Sequence, residues 1–212
     1  MLKYEVFPHL YLFAGKRSAR VATVIINDVA YDAKPGERLL AIARRNAAHI
    51  GFVCDGQGVC QTCQCRVLAG ADSLNPISEA ERIWMPDSRL RAGHRLACQA
   101  AVRGRGPIKI LTNAEELRRQ LLAVLNPPDD GVSRDYLEPL LENLVRQSVD
   151  QVRRYPFNVI STIARVGLER FLLPVRDGEQ YLDDAARVTR RMTAGGDALA
   201  PVPPPSQPDA RE

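Results

Sequence analysis

The sequence predicts an α+β domain followed by an all-α region, and three observations carry that prediction. Short apolar alternations, VATVIIN (21–27), VAYDA (29–33), CQCRVLAG (63–70) and IKIL (108–111), read as strands and fall in the first half of the chain. From residue 113 the apolar residues recur at helical spacing instead. The charge changes at the same place: residues 1–112 hold 16 Lys+Arg against 9 Asp+Glu, whereas 113–192 hold 12 against 13. A chain of 212 residues has room for one domain of about 100 residues and a substantial second part.

The opening MLKYEVFPHLYLFAGKRSAR (1–20) is apolar and aromatic through Tyr4, Phe7, Leu10, Tyr11 and Phe13. It lacks the charged region, apolar core and cleavage site of a signal peptide. It reads as an arm that packs on the domain or docks at an interface. Asn27-Asp28 between the first two strands is a hairpin turn. Lys34-Pro35-Gly36-Glu37 then leads into a helix, RLLAIARRNA, with Leu39, Leu40, Ile42 and Ala43 inward. SEAERIWM is a second helix, with Ser78 and Glu81 in capping-box spacing. RLACQAAV and IKIL close the sheet, giving β-β-α-loop-β-α-β-β with a helix packed across a mixed sheet.

Between the first helix and the third strand lies CDGQGVCQTCQC (54–65). Four cysteines read Cys54-x5-Cys60-x2-Cys63-x34-Cys98, three on one loop and the fourth far along the chain. That spacing suits a [2Fe–2S] cluster, in which two tetrahedral irons share two sulfides and each takes two thiolates. Disulfides fit poorly with an odd count of five cysteines. Zinc is the better rival, since Cys60-x2-Cys63 is half of a common zinc site, although no second CxxC completes it. Four buried structural cysteines are the remaining alternative, against which stand the Gly, Gln and Asp around them. Cys65 follows Cys63 by two on a strand and reads as a small core residue, not a ligand.

Beyond these thiols the sequence holds no competing catalytic constellation. His9, His49 and His94 have no zinc spacing, and no GxGxxG or P-loop marks a nucleotide site. His94, four before Cys98, reads as a surface or structural histidine rather than a relay. No basic stripe interleaved with aromatics points to nucleic acid. No apolar run approaches the ~20 residues needed to span a bilayer. The expectation is an electron-transfer protein, not an enzyme with its own substrate site.

With these residues in view, 21–112 resembles the [2Fe–2S] ferredoxins, whose β-grasp fold has this element order. PGERLLAIA, the cysteine loop and RLACQ carry the likeness, and the five-residue gap from Cys54 to Cys60 is similar to the adrenodoxin branch. The resemblance implies that Cys54, Cys60, Cys63 and Cys98 hold the cluster. It implies one-electron exchange with redox partner proteins at a low potential, about −400 mV or above. Vertebrate-type ferredoxins carry an acidic recognition helix between the third and fourth ligands. Here Glu79, Glu81 and Asp87 are set against Arg82, Arg89, Arg91 and Arg95, so a partner that reads a negative patch is not expected.

Over a longer span, HIGFVCDGQGVCQTCQCRVLAGADSLNPISEAE, RLACQAAV and KILTNAEELRR resemble the iron–sulfur proteins of the chlorosome envelope of green photosynthetic bacteria. That likeness implies a ferredoxin domain with a C-terminal region at a lipid monolayer, peripheral to the envelope or a membrane on its cytoplasmic side. A soluble cytoplasmic protein is the alternative location. For function, the alternative is a structural or interaction protein in which the cluster mainly stabilises the fold.

The expected layout is an arm at 1–20, the cluster domain at 21–112, a helical anchor or partner-binding region at 113–192 and a disordered Pro-rich tail at 193–212. Within the helical region Asn113 caps NAEELRRQLLAVL, and Ser133 caps RDYLEPLLENLVRQSVDQVRRY, where Pro139 marks a kink, an offset or a later start. Pro156 ends that helix and begins another, FNVISTIARVGLERFLL. Its polar stripe is Asn158, Ser161, Thr162, Arg165 and Glu169, and apolar residues cover the rest. Either the two helices pack as a hairpin, or residues 133–173 lie in the plane of a lipid or protein interface. DGEQYLDDAARVTRRM is a last amphipathic helix.

Overall fold

The computed structural model describes residues 22–104, 106–127, 132–172 and 178–194; the N-terminal arm and the Pro-rich tail lie outside them. Two strands, β1 (Ala22–Ile26) and β2 (Val29–Ala33), form an antiparallel hairpin. Its turn is Asn27 and Asp28 at φ 53° and 69°, the two left-handed residues a two-residue hairpin requires. The helix α1 (Leu39–Arg45) follows. After the cysteine loop come β3 (Gln64–Ala69), a 3-10 turn (Ala71–Ser73), and two short helices, α2 (Glu79–Trp84) and α3 (Asp87–Arg91). Strands β4 (His94–Leu96) and β5 (Ile108–Thr112) complete a sheet of order β2-β1-β5-β3-β4. Only β1 and β5 are parallel; the other neighbours are antiparallel.

This is the β-grasp arrangement that the element order predicts. Alternation puts Ala22, Val24 and Ile26 of β1, and Ile108, Ile110 and Thr112 of β5, on the covered face. Leu39 and Ile42 of α1 meet them, with Leu96, Val102 and Met85 closing the core. Two details differ from the sequence reading. RLACQAAV does not run as one strand: β4 ends at Leu96, and Cys98 lies in the turn beyond it, where Ala100 N–H bonds back to the Leu96 carbonyl. The segment Asp87–Arg91, with no strong apolar period of its own, forms α3.

The turn that carries Cys98 rests on a buried ion pair. Ser78 and Glu81 make the predicted capping box, and Glu81 is fully buried. Glu81 Oε1 accepts from Arg95 Nε at 2.7 Å and from the Leu96 backbone N–H at 3.0 Å, while Oε2 accepts from Arg95 Nη2. Neither Glu81 nor Arg95 is therefore part of a recognition surface.

The helical half departs further from expectation. Thr112, not Asn113, caps α4 (Asn113–Leu125): its hydroxyl accepts from Glu115 N–H and donates to the His49 carbonyl at 2.6 Å. Ser133 is the first residue of α5, with no side-chain cap before it. Helix α5 runs unbroken from Ser133 to Val166 through both Pro139 and Pro156, so residues 133–154 and 157–173 form no hairpin. An interior proline removes one intrahelical bond and crowds the preceding turn, at about 3 kcal/mol. The helical run either side of Pro156 outweighs that loss. The true stop is Gly167 at φ 86°, after which α6 (Leu168–Leu172) begins. Among the described residues no helix is long and apolar enough to cross a membrane.

Helix α7 (Gly178–Thr193) returns to α1. Asp184 accepts from Arg44 Nε at 2.7 Å, Arg187 donates to the Arg44 and Arg45 carbonyls, and Arg191 donates to the Asn46 carbonyl. These bonds satisfy the last carbonyls of α1.

A second buried carboxylate, Glu115, accepts from His49 Nδ1 at 2.9 Å and from Arg118 and Arg119. Glu81→Ala should lower unfolding stability by about 3–5 kcal/mol, the cost of leaving one partner of a buried pair uncompensated, in a denaturant titration. At Glu115, burial pushes the carboxyl up, but hydrogen bonds from Arg118, His49 and Arg119 outweigh it and hold it at about 2. Its folded value is depressed, so its stabilisation is complete above about 4.5 and is lost as pH falls towards 2. The stability gap between wild type and Glu115→Gln should therefore be widest near neutral pH and close through that acid window, cluster loss being common to both.

Candidate metal centre

Residues 54–63 wrap into a loop whose backbone turns repeatedly into the left-handed region. Asp55, Gly56, Gly58 and Gln61 have φ of 45°, 79°, 73° and 57°. Such turns point successive N–H groups inward, which makes a cradle for an anionic group. Gly58 is required for space as well: a Cβ there would lie 3.0 Å from both Ala80 Cβ and Gln99 Nε2.

The loop and the Cys98 turn bring the four predicted thiols together as two pairs. Cys54 is within hydrogen-bonding reach of Cys60, and Cys63 of Cys98, with Cys60 close enough to feel both Cys63 and Cys98. Cys54, Cys63 and Cys98 are buried, and Cys60 is half-buried. The hydrogen bond from Cys54 holds Cys60 down at about 5 against burial. Cys54 is pushed up by the same bond and by burial. In the second pair the bond between them lowers Cys98 and raises Cys63. Metal binding displaces the protons of thiols paired in this way.

Donors surround these sulfurs. The backbone N–H groups of Val59 and Cys60 serve Cys54, that of Thr62 serves Cys60, and that of Gly58 serves Cys98. Gln99 Nε2 lies 3.5 Å from Cys98 Sγ and donates to the Gly56 carbonyl at 3.0 Å, and Thr62 Oγ1 lies 3.0 Å from Cys60 Sγ. Two irons take two thiolates each, and the Cys54–Cys60 and Cys63–Cys98 pairs with their N–H donors fit that set.

Cys65 lies apart in β3, 1% exposed, its thiol directed at the Arg95 carbonyl and pushed up to about 12 by burial. His94 pairs with Arg66 across β3 and β4 and lines a cleft with Glu116 and Asn143. The sequence reading missed Gln99 and Gln57, and it placed Arg165 on a polar stripe without seeing that it reaches the loop. Gln99 follows a ligand directly, which is a signal of position. Arg165 Nη2 donates to the Gln57 carbonyl at 3.0 Å across 108 residues, which no local pattern announces.

From the other flank, Arg44 lies 4.3 Å over the Phe52 ring and 3.5 Å from Asp55, and Phe52 meets Tyr181 of α7 edge-to-face. The loop is thus held by α5 on one side and by α1 with α7 on the other.

Residues 23–103 match the family described as the 2Fe-2S iron-sulfur cluster binding domain. Over 105 residues, half of this chain, it is 43% identical to chlorosome protein J of Chlorobaculum tepidum, and over 100 residues 39% identical to chlorosome protein I of the same organism. These matches span 46% and 41% of those proteins, so the chain aligns with less than half of either. A 2Fe-2S ferredoxin of Pseudomonas aeruginosa is 38% identical over 73 residues, 34% of this chain and 65% of that protein. Residues 23–103 accordingly match a [2Fe–2S] cluster binding domain, and a [2Fe–2S] cluster is the cofactor.

Proposed function

We propose that this chain transfers single electrons through a [2Fe–2S] cluster held by Cys54, Cys60, Cys63 and Cys98, while lying against a lipid surface by its long helix. The carrying observation is the division of the four thiols into two pairs, Cys54 with Cys60 and Cys63 with Cys98, one pair for each iron. A bound [2Fe–2S] cluster supplies a one-electron couple and no substrate site. The chain's own residues exclude water by burying three thiols, and direct N–H groups to the sulfurs, which sets the potential. The partners are redox proteins that donate and accept the electron.

The lipid half of the reading rests on the orientation of α5. Asn158 and Thr162 of its polar stripe are turned inward and buried, whereas Val152, Phe157 and Ile160 are turned outward, Phe157 76% exposed. A helix facing water would place these sets the other way round. An apolar face along a helix of about 51 Å, at 1.5 Å per residue over 34 residues, suits in-plane contact with acyl chains. The chlorosome proteins among the relatives favour an envelope monolayer as that surface. Residues 1–20, 113–192 and 193–212 are then arm, anchoring region and tail around the cluster domain.

Anaerobically purified protein should contain two irons and two sulfides and titrate as a reversible one-electron couple. Serine at any of Cys54, Cys60, Cys63 or Cys98 should abolish or strongly distort the visible and EPR spectra, and Cys65→Ser should leave both intact. A centre that disintegrates on reduction would instead assign the cluster to holding the fold. The full chain should float with anionic lipid vesicles, and Phe157→Glu with Ile160→Glu should sink it. Sedimentation as a dimer without vesicle binding would give that face to a second copy.

A further inference from the structure

Helix α5 joins the outward apolar face to the cluster loop. Gln57 lies midway between Cys54 and Cys60, and its own N–H donates to the Cys54 carbonyl at 3.1 Å. Its carbonyl accepts from Arg165 of α5 at 3.0 Å. Thr162 and Asn158, three and seven residues before Arg165, share that face of the helix and are 0% and 5% exposed. Thr162 Oγ1, Asn158 Nδ2 and both polar atoms of the Gln57 amide are buried with no hydrogen-bond partner among the described residues. The same helix packs on α2, whose Ala80 stands against Gly58 of the loop.

Buried polar groups without partners cost stability, and Val or Leu would seat a helix on a loop better. Their concentration on the one face of α5 that reaches the cluster loop is therefore informative. We infer that Arg165, with Thr162 and Asn158, is a positioning element for the cluster: it fixes the Cys54–Cys60 span through Gln57 and covers that side of the loop with donors and positive charge. The inference rests on the cluster reading above and extends it to residues more than 50 positions beyond the last cysteine.

Reduction adds an electron to an anionic centre, so a guanidinium held against the loop favours the reduced state. Its long side chain is exposed, and solvent screens the effect to a modest size.

The test uses the full-length, cluster-loaded protein without lipid and has two readouts, the midpoint potential and the rate of iron release to a chelator. Arg165→Met should make the reduction equilibrium about threefold less favourable, roughly 28 mV at 59 mV per tenfold for one electron. It should also speed iron release by about threefold or more, and Arg165→Lys, which still donates, should restore most of both. Thr162→Val keeps the shape without the hydroxyl and should speed iron release with little loss of fold. If Arg165→Met and Thr162→Val leave potential and release rate at wild-type values, or lower only the melting temperature, the positioning role is overturned. Wild-type protein that takes up no cluster would overturn the cluster reading itself, a separate and recognisable result.

Discussion

The fourth thiol has to be delivered to the other three from 35 residues away, and the buried Glu81–Arg95 pair is what delivers it. Glu81 closes the start of α2, grips Arg95 on β4 and accepts the Leu96 N–H, all with one carboxylate. Beyond Leu96 the turn is held by backbone bonds to distant segments, Ala97 N–H reaching the Cys63 carbonyl and Leu40 N–H the Ala97 carbonyl. The Cys98 turn is thereby fastened to the cysteine loop and to α1 at once. A charge pair so buried stabilises little against an apolar alternative but punishes any arrangement that separates its members. It selects the one register in which Cys98 faces Cys63.

That delivery explains how the site was readable and where reading stopped. The β-grasp elements follow from local rules: alternation in β1 and β5, an Asn-Asp hairpin, a capping box at Ser78. The proposed ligand set was suggested by thiol spacing and assigned by the ferredoxin resemblance, and the structure brings those four thiols together. Thr112 escaped notice as a cap because its role depends on His49 and Asn27, which are distant in sequence. Pro156 misled for the opposite reason. A local breaking rule, sound for an isolated helix, yields where a long helix makes many other bonds. Gly167, with its positive φ, carried the real stop signal.

The polar stripe Asn158, Ser161, Thr162, Arg165 and Glu169 was visible in the sequence, but its direction was not. Periodicity gives the two faces of a helix and is silent on which one meets the protein. An ordinary surface helix turns its polar face to water, and that default suggested either a bundle core or an interfacial layer around the apolar face. In the structure Asn158 and Thr162 turn inward and Arg165 reaches the cluster loop, while Ser161 and Glu169 are exposed and the large apolar residues Phe157 and Ile160 look out. With the proposed lipid contact, this arrangement would reconcile two demands that otherwise conflict, since the loop around an iron–sulfur centre wants donors and a lipid surface wants hydrocarbon. One helix serves both only if its polar stripe is narrow and its apolar arc wide, which is the composition of residues 157–168.

Placing the cluster loop between α5 and α7 also changes what the C-terminal half is. A tether joined by a flexible linker would leave the cluster domain free to turn, so anchoring and electron exchange would be independent. Here Arg165 holds Gln57 on one flank, and on the other Arg44 ties Asp55 of the loop to Asp184 of α7. Both contacts end within the Cys54–Cys60 span. Forces that order or shift these helices therefore act on the loop directly, and by linkage the state of the loop acts on the helices.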